Sequence, residues 1–344
     1  MFSSLKGIYK VMLVLMALGV VPFVTIGTMS LIKSSGNLTA QVFDQLQGLR
    51  ETKKNNITAF FKERERDLNV LCDIVEKFKT ETGPEWTPQK MESFFSKYID
   101  EYEYHDLFII HPDGDVLYSV AGEADYGTNM ITGPYADSNL GKLVRKVIRS
   151  RSFGMADFAP YAPSGNEPAA FVAEPVLKEK QVDLVIALQL SIEAINAIMM
   201  ERTGLGKTGE TYLVGPDMLM RSDSFLDPGN RSIRASFKDP ENGSVDTDAS
   251  REALAGKSGE RVIIDYNGNP VLSAYTPVSL DGVRWALIAE MDLAEAFEAI
   301  DNLTWLISIV AVVGISTIVA VGLLIGLLFL NRPGRGTAGF WKGR

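Results

Sequence analysis

The sequence predicts an α+β protein: two tandem antiparallel-sheet units on one long N-terminal helix, flanked by two membrane-crossing helices. Three observations predict it. Two long stretches carry no charge. Apolar residues recur at three- and four-residue spacing from Val42 to Phe78. Beyond Tyr104 a strand-rich pattern occurs twice at nearly constant offset.

The uncharged stretches are residues 11–32 and 303–330. Each exceeds the ~20 apolar residues a helix needs to cross the hydrocarbon core. Lys6 and Lys10 precede the first; Arg332, Arg335, Lys342 and Arg344 follow the second. Lysine and arginine stay on the cytoplasmic side, so both ends are expected inside and residues 33–302 outside. A cleaved signal peptide competes for the first stretch. Its apolar run is longer than such peptides carry, and no small-x-small cleavage pattern follows, so an uncleaved anchor is expected. The exported part holds all 43 acidic residues and 28 of the 34 basic ones, a net charge of −15. That balance disfavours nucleic acid and anionic lipid as partners. Cys72 is the single cysteine. The exported domain must therefore stand on its apolar core without disulfides, and Cys72, spaced among apolar residues, reads as a buried thiol.

From Ser34 to Lys79 there is no proline. Val42, Leu46, Leu49, Ile57, Phe60, Leu68, Leu71, Val75 and Phe78 form one stripe, interrupted by Lys53 and Arg64. This is one long amphipathic helix continuing from the first span, packed on its own domain and paired with its twin in a homodimer. Gly83, Pro84 and Pro88 end it. Strands follow at Leu107–Ile110 and Val116–Val120 around the Pro112-Asp113-Gly114 turn, then a helix at Leu140–Ile148. Strands at Phe153–Tyr161, Ala169–Leu177 and Val182–Leu190 and a helix at Ile192–Arg202 complete the first unit. The second reads as strands Thr211–Val214 and Met218–Ser222, helix Ala249–Leu254, and strands Arg261–Tyr266, Val271–Val278 and Val283–Met291.

The two series match in order. Phe108–Asp113 pairs with Tyr212–Asp217, Asp157-Phe158 with Asp265-Tyr266, and Gly165–Pro168 with Gly268–Pro270. Pro175-Val176 pairs with Pro277-Val278, and Val182–Ala187 with Val283–Ile288, at offsets of 101–108 residues. Five ordered matches at so steady an offset indicate a repeated unit.

Leu49–Lys54 and Ile57–Phe61 on the long helix, Gly206–Asp217 followed by Arg221-Ser222-Asp223, and Asp265–Pro277 followed by Trp285–Glu290 together resemble the double Cache sensor domains of bacterial methyl-accepting chemotaxis receptors. The resemblance covers residues 34–302. It implies tandem PAS-like subdomains, a small-molecule ligand in the membrane-distal one and a relay through the proximal one to the second span. The implied organisation is a cytoplasmic N-terminus at 1–10, a first span at 11–32 and a sensor at 33–302. The sensor divides into a long helix (33–80), a distal subdomain (81–202) and a proximal one (203–300). A second span at 303–330 and a cytoplasmic tail at 331–344 complete it. The implied location is the bacterial inner membrane, multi-pass, with the sensor in the periplasm or outside. Two departures stand out. Such receptors continue into a helical signalling hairpin, whereas Asn331–Arg344 carries Pro333, Gly334, Gly336 and Gly339; the expectation is a receptor truncated after its second span. Amino-acid-sensing members carry an arginine and a Trp-Tyr pair where this sequence has Gly133–Asp137, so an amino-acid ligand is not expected.

A small ligand needs an apolar wall and a few converging polar groups. Tyr118, Tyr135, Asp157, Phe158, Tyr161 and Phe171, on the distal strands and loops, are the candidate ligand-binding residues, each as readily a core or loop anchor. Tyr212, Arg221, Asp223, Asp265, Tyr266 and Tyr275 form the matching proximal set. Gly204-Leu-Gly206-Lys-Thr-Gly209 satisfies G-x-G-x-x-G. It follows a helix and precedes a strand, the reverse of a dinucleotide site, so it reads as a connector. His105 and His111 lack further ligands for zinc, with Asp106 and Asp113 reading as turn residues. No metal, cofactor or catalytic constellation is expected. A sensory part of a histidine kinase or nucleotide cyclase, or a membrane-anchored domain recognising a protein partner, is the alternative.

Overall fold

The computed structural model describes residues 10, 13, 14 and 16–330. The tail expected at 331–344 and all of the expected N-terminus except Lys10 lie outside the described residues. The chain divides into two units. One comprises the residues up to Gln41 and those from Ala296 onward; the other is Val42–Glu295.

In the first unit, a π-helical turn (Met16–Val20) leads into helix α1, Val21–Thr82, and the C-terminal helix α8 spans Leu293–Leu330. Both are long and apolar enough to cross a membrane. They approach antiparallel: a Cβ placed on Gly19 would meet Ile318 Cδ1 at 3.9 Å, and one on Gly27 would meet Ile307 Cγ2 at 3.3 Å. Several of their hydroxyls donate within the helix. Thr25 donates to the Val21 carbonyl, Thr28 to Val24, and Ser308 to Thr304. Backbone carbonyls are the partners available where water is absent.

In the second unit, α1 carries Leu46, Ile57, Leu68, Leu71 and Val75 fully buried. After α2 (Glu92–Glu101) come β1 (Tyr104–Ile110), β2 (Val116–Ser119), α3 (Asn139–Ser150), β3 (Gly154–Tyr161), β4 (Glu167–Lys178), β5 (Gln181–Leu190) and α4 (Ile192–Met199). The second series is β6 (Glu210–Val214), α5 (Ile233–Lys238), α6 (Pro240–Gly243), α7 (Asp248–Leu254), β7 (Gly259–Ile264), β8 (Pro270–Leu280) and β9 (Val283–Asp292). The distal sheet has order β2-β1-β5-β4-β3 and the proximal sheet β6-β9-β8-β7. Matching β1 to β6, β3 to β7, β4 to β8 and β5 to β9 gives one shared topology, wholly antiparallel in each sheet.

The sequence and the structure part at Met218–Ser222. No strand forms there; a single bridge joins Val214 to Met220. Met218 is left-handed at φ 64°. Side chains take amides that a ladder would use: Leu213 N donates to Ser222 Oγ and Met220 N to Ser236 Oγ. Lys53, which interrupts the apolar stripe, is itself buried. Its ammonium donates to the carbonyls of Ile198 and Glu201, at and just beyond the end of α4. A cation there meets the negative end of the helix dipole and its unpaired carbonyls. Burial lowers the Lys53 pKa, against the pull of Glu201.

Candidate ligand-binding site

Alternation along the distal strands gives the sheet two covered faces. Leu107, Ile109, Val172, Ile186 and Leu188 belong to the cluster that includes α1. Phe108, Ile110, Phe171, Ala173, Val185 and Ala187 form a second cluster with Leu140, Leu143, Val144 and Val147 of α3. Ser138 caps α3 by accepting from Gly141 N.

The six expected ligand residues divide among three places. Tyr161 and Phe171 meet edge-to-face at 4.9 Å on the α3 side, with Tyr135 packed, half-buried, against the same cluster. Tyr118 lies on the α1 side, 5.5 Å from Phe95 of α2, and Phe158 is in that cluster too. Phe158 and Tyr161, three residues apart, take opposite faces by alternation, and the register shift between Ala156 and Ala159 brings Ala156 and Tyr161 to the same one. Asp157 belongs to neither face. Its carboxylate accepts from Arg221 Nε at 2.8 Å and Nη2 at 2.9 Å, and from the Trp285 indole at 2.9 Å. Arg221 also donates to Asp217.

This contact ties the two sheets together. Arg221 is 1% exposed and Trp285 is fully buried. A guanidinium so enclosed requires bidentate partners. Trp285 of β9 packs 5.5 Å from Phe61 of α1 and 6.3 Å from Phe158 of β3, so one side chain touches helix and both sheets. Asp281, between β8 and β9, adds a second tie, accepting from Lys146 at 2.6 Å and from Met155 N at 3.0 Å. The Gly204–Gly209 segment is a connector between α4 and β6. Arg202 donates to the carbonyls of Gly206, Lys207 and Gly209. Glu295, at the start of α8, accepts from the amides of Lys207 and Thr208, both at 2.7 Å. Burial opposes its charge, but those amides hold the Glu295 carboxyl below its usual range.

Several polar groups of the core gave little signal in the sequence. Asp106, expected in a turn, lies on β1, fully buried. It accepts from Leu107 N, Ser119 Oγ, Val120 N and Ala121 N at 2.6–2.9 Å and so folds the chain back after β2. Asp125 accepts from the Tyr161 hydroxyl at 2.5 Å, while its Oδ1 has no hydrogen-bond partner among the described residues. Burial raises both carboxyls above their ordinary range. Glu210 and Glu290 play the corresponding part in the proximal core. Glu210 accepts from Ser224, Tyr266 and Phe225 N, and Glu290 from Tyr212 at 2.8 Å; burial pushes both up. For Asp106, Glu210 and Glu290 a charged residue inside an apolar strand was the only available sign; Asp125, in a turn, gave none. His105 stands 3.7 Å from Glu123, and His111 3.3 Å from Asp113.

Comparison with known proteins agrees with this architecture. The family described as "Cache domain" matches residues 34–300. A probable chemoreceptor of Sinorhizobium fredii, y4sI, is 22% identical over 246 residues. That covers 69% of this chain but 28% of the relative, so the chain spans well under half of that protein's length. The ligand-binding domain of the Campylobacter jejuni chemoreceptor Tlp3, solved with 4-methylisoleucine, superposes with a TM-score of 0.54 at 11% identity. It covers 75% of this chain and 94% of that one. The Pseudomonas fluorescens chemoreceptor CtaA domain, solved with L-isoleucine, gives 0.52 at 14%, covering 77% and 98%. The Pseudomonas aeruginosa PctB domain, solved with L-Arg, gives 0.51 at 16%, covering 75% and 98%. With the match extending over most of its length and the repeated sheets in the same arrangement, the chain belongs to the Cache domain family.

Proposed function

We propose that the chain is the sensory part of a chemoreceptor. It binds a small molecule outside the membrane, in its distal subdomain, and passes a conformational change to its second span. The observation that carries this reading is the continuous path from distal sheet to α8. Asp157 holds Arg221 and Trp285, Trp285 sits on β9, and β9 runs without a break into the helix that Glu295 pins to the connector. A ligand shifts such a unit only through its differential affinity for two arrangements, commonly ~1–3 kcal/mol.

Of the six residues named from the sequence, the proposed ligand contacts are the three that share a face; Tyr118 and Phe158 lie on the α1 side and Asp157 is engaged by Arg221 and Trp285. Tyr135, Tyr161 and Phe171 share one face of the distal sheet, and Asp125 beside Tyr161 offers an unpaired buried oxygen. The two apolar helices support a multi-pass location in the inner membrane with both ends inside, and the half-exposed Val70 and Phe78 on α1 support pairing with a second copy. The boundaries expected for spans and subdomains belong to the same reading.

The test is calorimetry of the full chain in lipid nanodiscs against organic acids, amines, amino acids and purines. Saturable binding by at least one class supports the sensor; no binding by any class, with unchanged thermal stability, contradicts it. Protease digestion of inverted membrane vesicles tests the orientation. Protection of residues 33–302 is expected, and their digestion would refute it.

A further inference from the structure

A cleft of about 620 Å³ opens where the distal sheet meets the proximal subdomain. Its walls come from the start of β1, the end of β5, the loop before β4, the first turn of α4 and Arg234 of α5. Four carboxylates line it, Glu103, Glu123, Glu167 and Glu193, against one guanidinium and one imidazole. Gln189 lines it too. It lies on β5 directly across from Phe171 of β4, is 5% exposed, and its Oε1 has no hydrogen-bond partner among the described residues. A buried acceptor left unpaired costs free energy until something donates to it.

Arg234 shows what chemistry the cleft accepts. It reaches from the proximal subdomain and donates to Glu167 at 3.0 Å and to Glu193 at 3.1 Å. All three side chains are more than half exposed, so these ion pairs are weak and exchangeable. Glu123, which accepts from Ser164 at 2.6 Å, is not engaged by Arg234.

We propose that this cleft is a binding site for a small organic cation bearing a primary ammonium. Its N–H groups donate to Gln189 Oε1 and Glu123, and its charge competes with Arg234 for Glu167 and Glu193. Three donors and no acceptor suit an ammonium to a wall of acceptors. The site rests on the reading of the chain as a small-molecule sensor; it shares no residue with the distal contacts proposed above and is a second site, with its own ligand class and consequence. Occupancy frees Arg234, a proximal residue, from two carboxylates of the distal wall, so the cation alters the junction that Asp157 and Trp285 span.

The probe is 1,4-diaminobutane, titrated calorimetrically into the full chain in nanodiscs, with neutral 1,4-butanediol and anionic succinate as controls. Saturable binding of the diamine and none of the diol is expected. Glu123→Gln and Gln189→Met should each weaken diamine binding about tenfold, the loss of one charge-assisted or buried hydrogen bond. Arg234→Ala should strengthen it about two- to fivefold by removing the internal competitor. Gln189 is buried, so unfolding midpoints accompany each variant; Glu123, on the rim, keeps the test sound should Gln189→Met fold poorly. No saturable diamine binding in either wild type or Arg234→Ala overturns the proposal, as does binding indifferent to Glu123→Gln. If succinate, an amino acid or a purine binds with the same affinity in every variant while the diamine does not, the sensor stands and this site falls. If nothing binds, both fall.

Discussion

The distal and proximal subdomains share one topology and use equivalent residues for different ends. Asp157 and Asp265 occupy matching places in the repeat. Asp265 closes its own turn, accepting from Asn267 N at 2.8 Å and Asn269 N at 2.7 Å. Asp157 instead reaches out of its subdomain to Arg221 and Trp285. The same carboxylate, displaced by a bulge in β3, becomes a local staple in one copy and a joint between copies in the other. The outer strands differ as well. β7 leaves Val262 and Ile264 exposed, whereas β3 buries Phe158 and Tyr161. A repeated fold thus acquires direction: one subdomain is held by the next, which continues into the second apolar helix.

The contrast can be broken by substitution. Asp157→Ala leaves Arg221 enclosed with half its carboxylate partners and should cost ~3–5 kcal/mol in chemical denaturation. Asp265→Ala frees two exposed-turn amides that water can serve, and should cost ~1–2 kcal/mol. Equal costs would erase the distinction drawn between them. Lys53→Met falls between, at about 2 kcal/mol, because two carbonyls near the end of α4 lose their donor.

A pH profile sharpens the distal side. Burial pushes Glu174 of β4 up to about 7, and nearby Glu65 adds to the shift. A carboxyl raised on folding contributes stability that is full below its ordinary value of 4.5 and is lost as pH rises toward 7. Wild type should therefore lose ~1–2 kcal/mol more than Glu174→Gln between pH 5 and 7.5, after allowance for its partial exposure. Identical profiles would contradict the shift. The smallest effect belongs to the proximal edge: Val262→Thr should change stability by less than ~0.5 kcal/mol, since its side chain is already half in water.

Elements with strong periodicity were legible in the sequence. The apolar stretches, the long helix and nine of the ten expected strands follow from hydrophobic spacing and turn residues, and the repeat follows from ordered matches such as Asp157 with Asp265. Met218–Ser222 misled because its apolar alternation is real, but a left-handed residue and two serine hydroxyls capture the ladder's amides. Of the six ligand candidates, the sequence placed all on the distal unit but could not assign them to faces. A one-residue bulge reverses every later side chain, and no composition signal marks it. Gln189 and Asp125 escaped notice for a different reason. What distinguishes them is an unpaired oxygen in a buried place, a property of the packing and not of the residue type. Lys53 appeared as an interruption of an apolar stripe, and only the end of α4 explains it.

The central claim is that a disturbance in the distal sheet reaches β9 and the start of α8 through the Asp157 contact. Hydrogen exchange on the full chain in nanodiscs, comparing wild type with Asp157→Asn, tests it most directly. Amides of β9 and of Lys207 and Thr208 should exchange about tenfold faster or more in the variant, although the substitution lies on β3. Faster exchange confined to β3 and β4, with β9 and the connector as protected as before, would contradict the account.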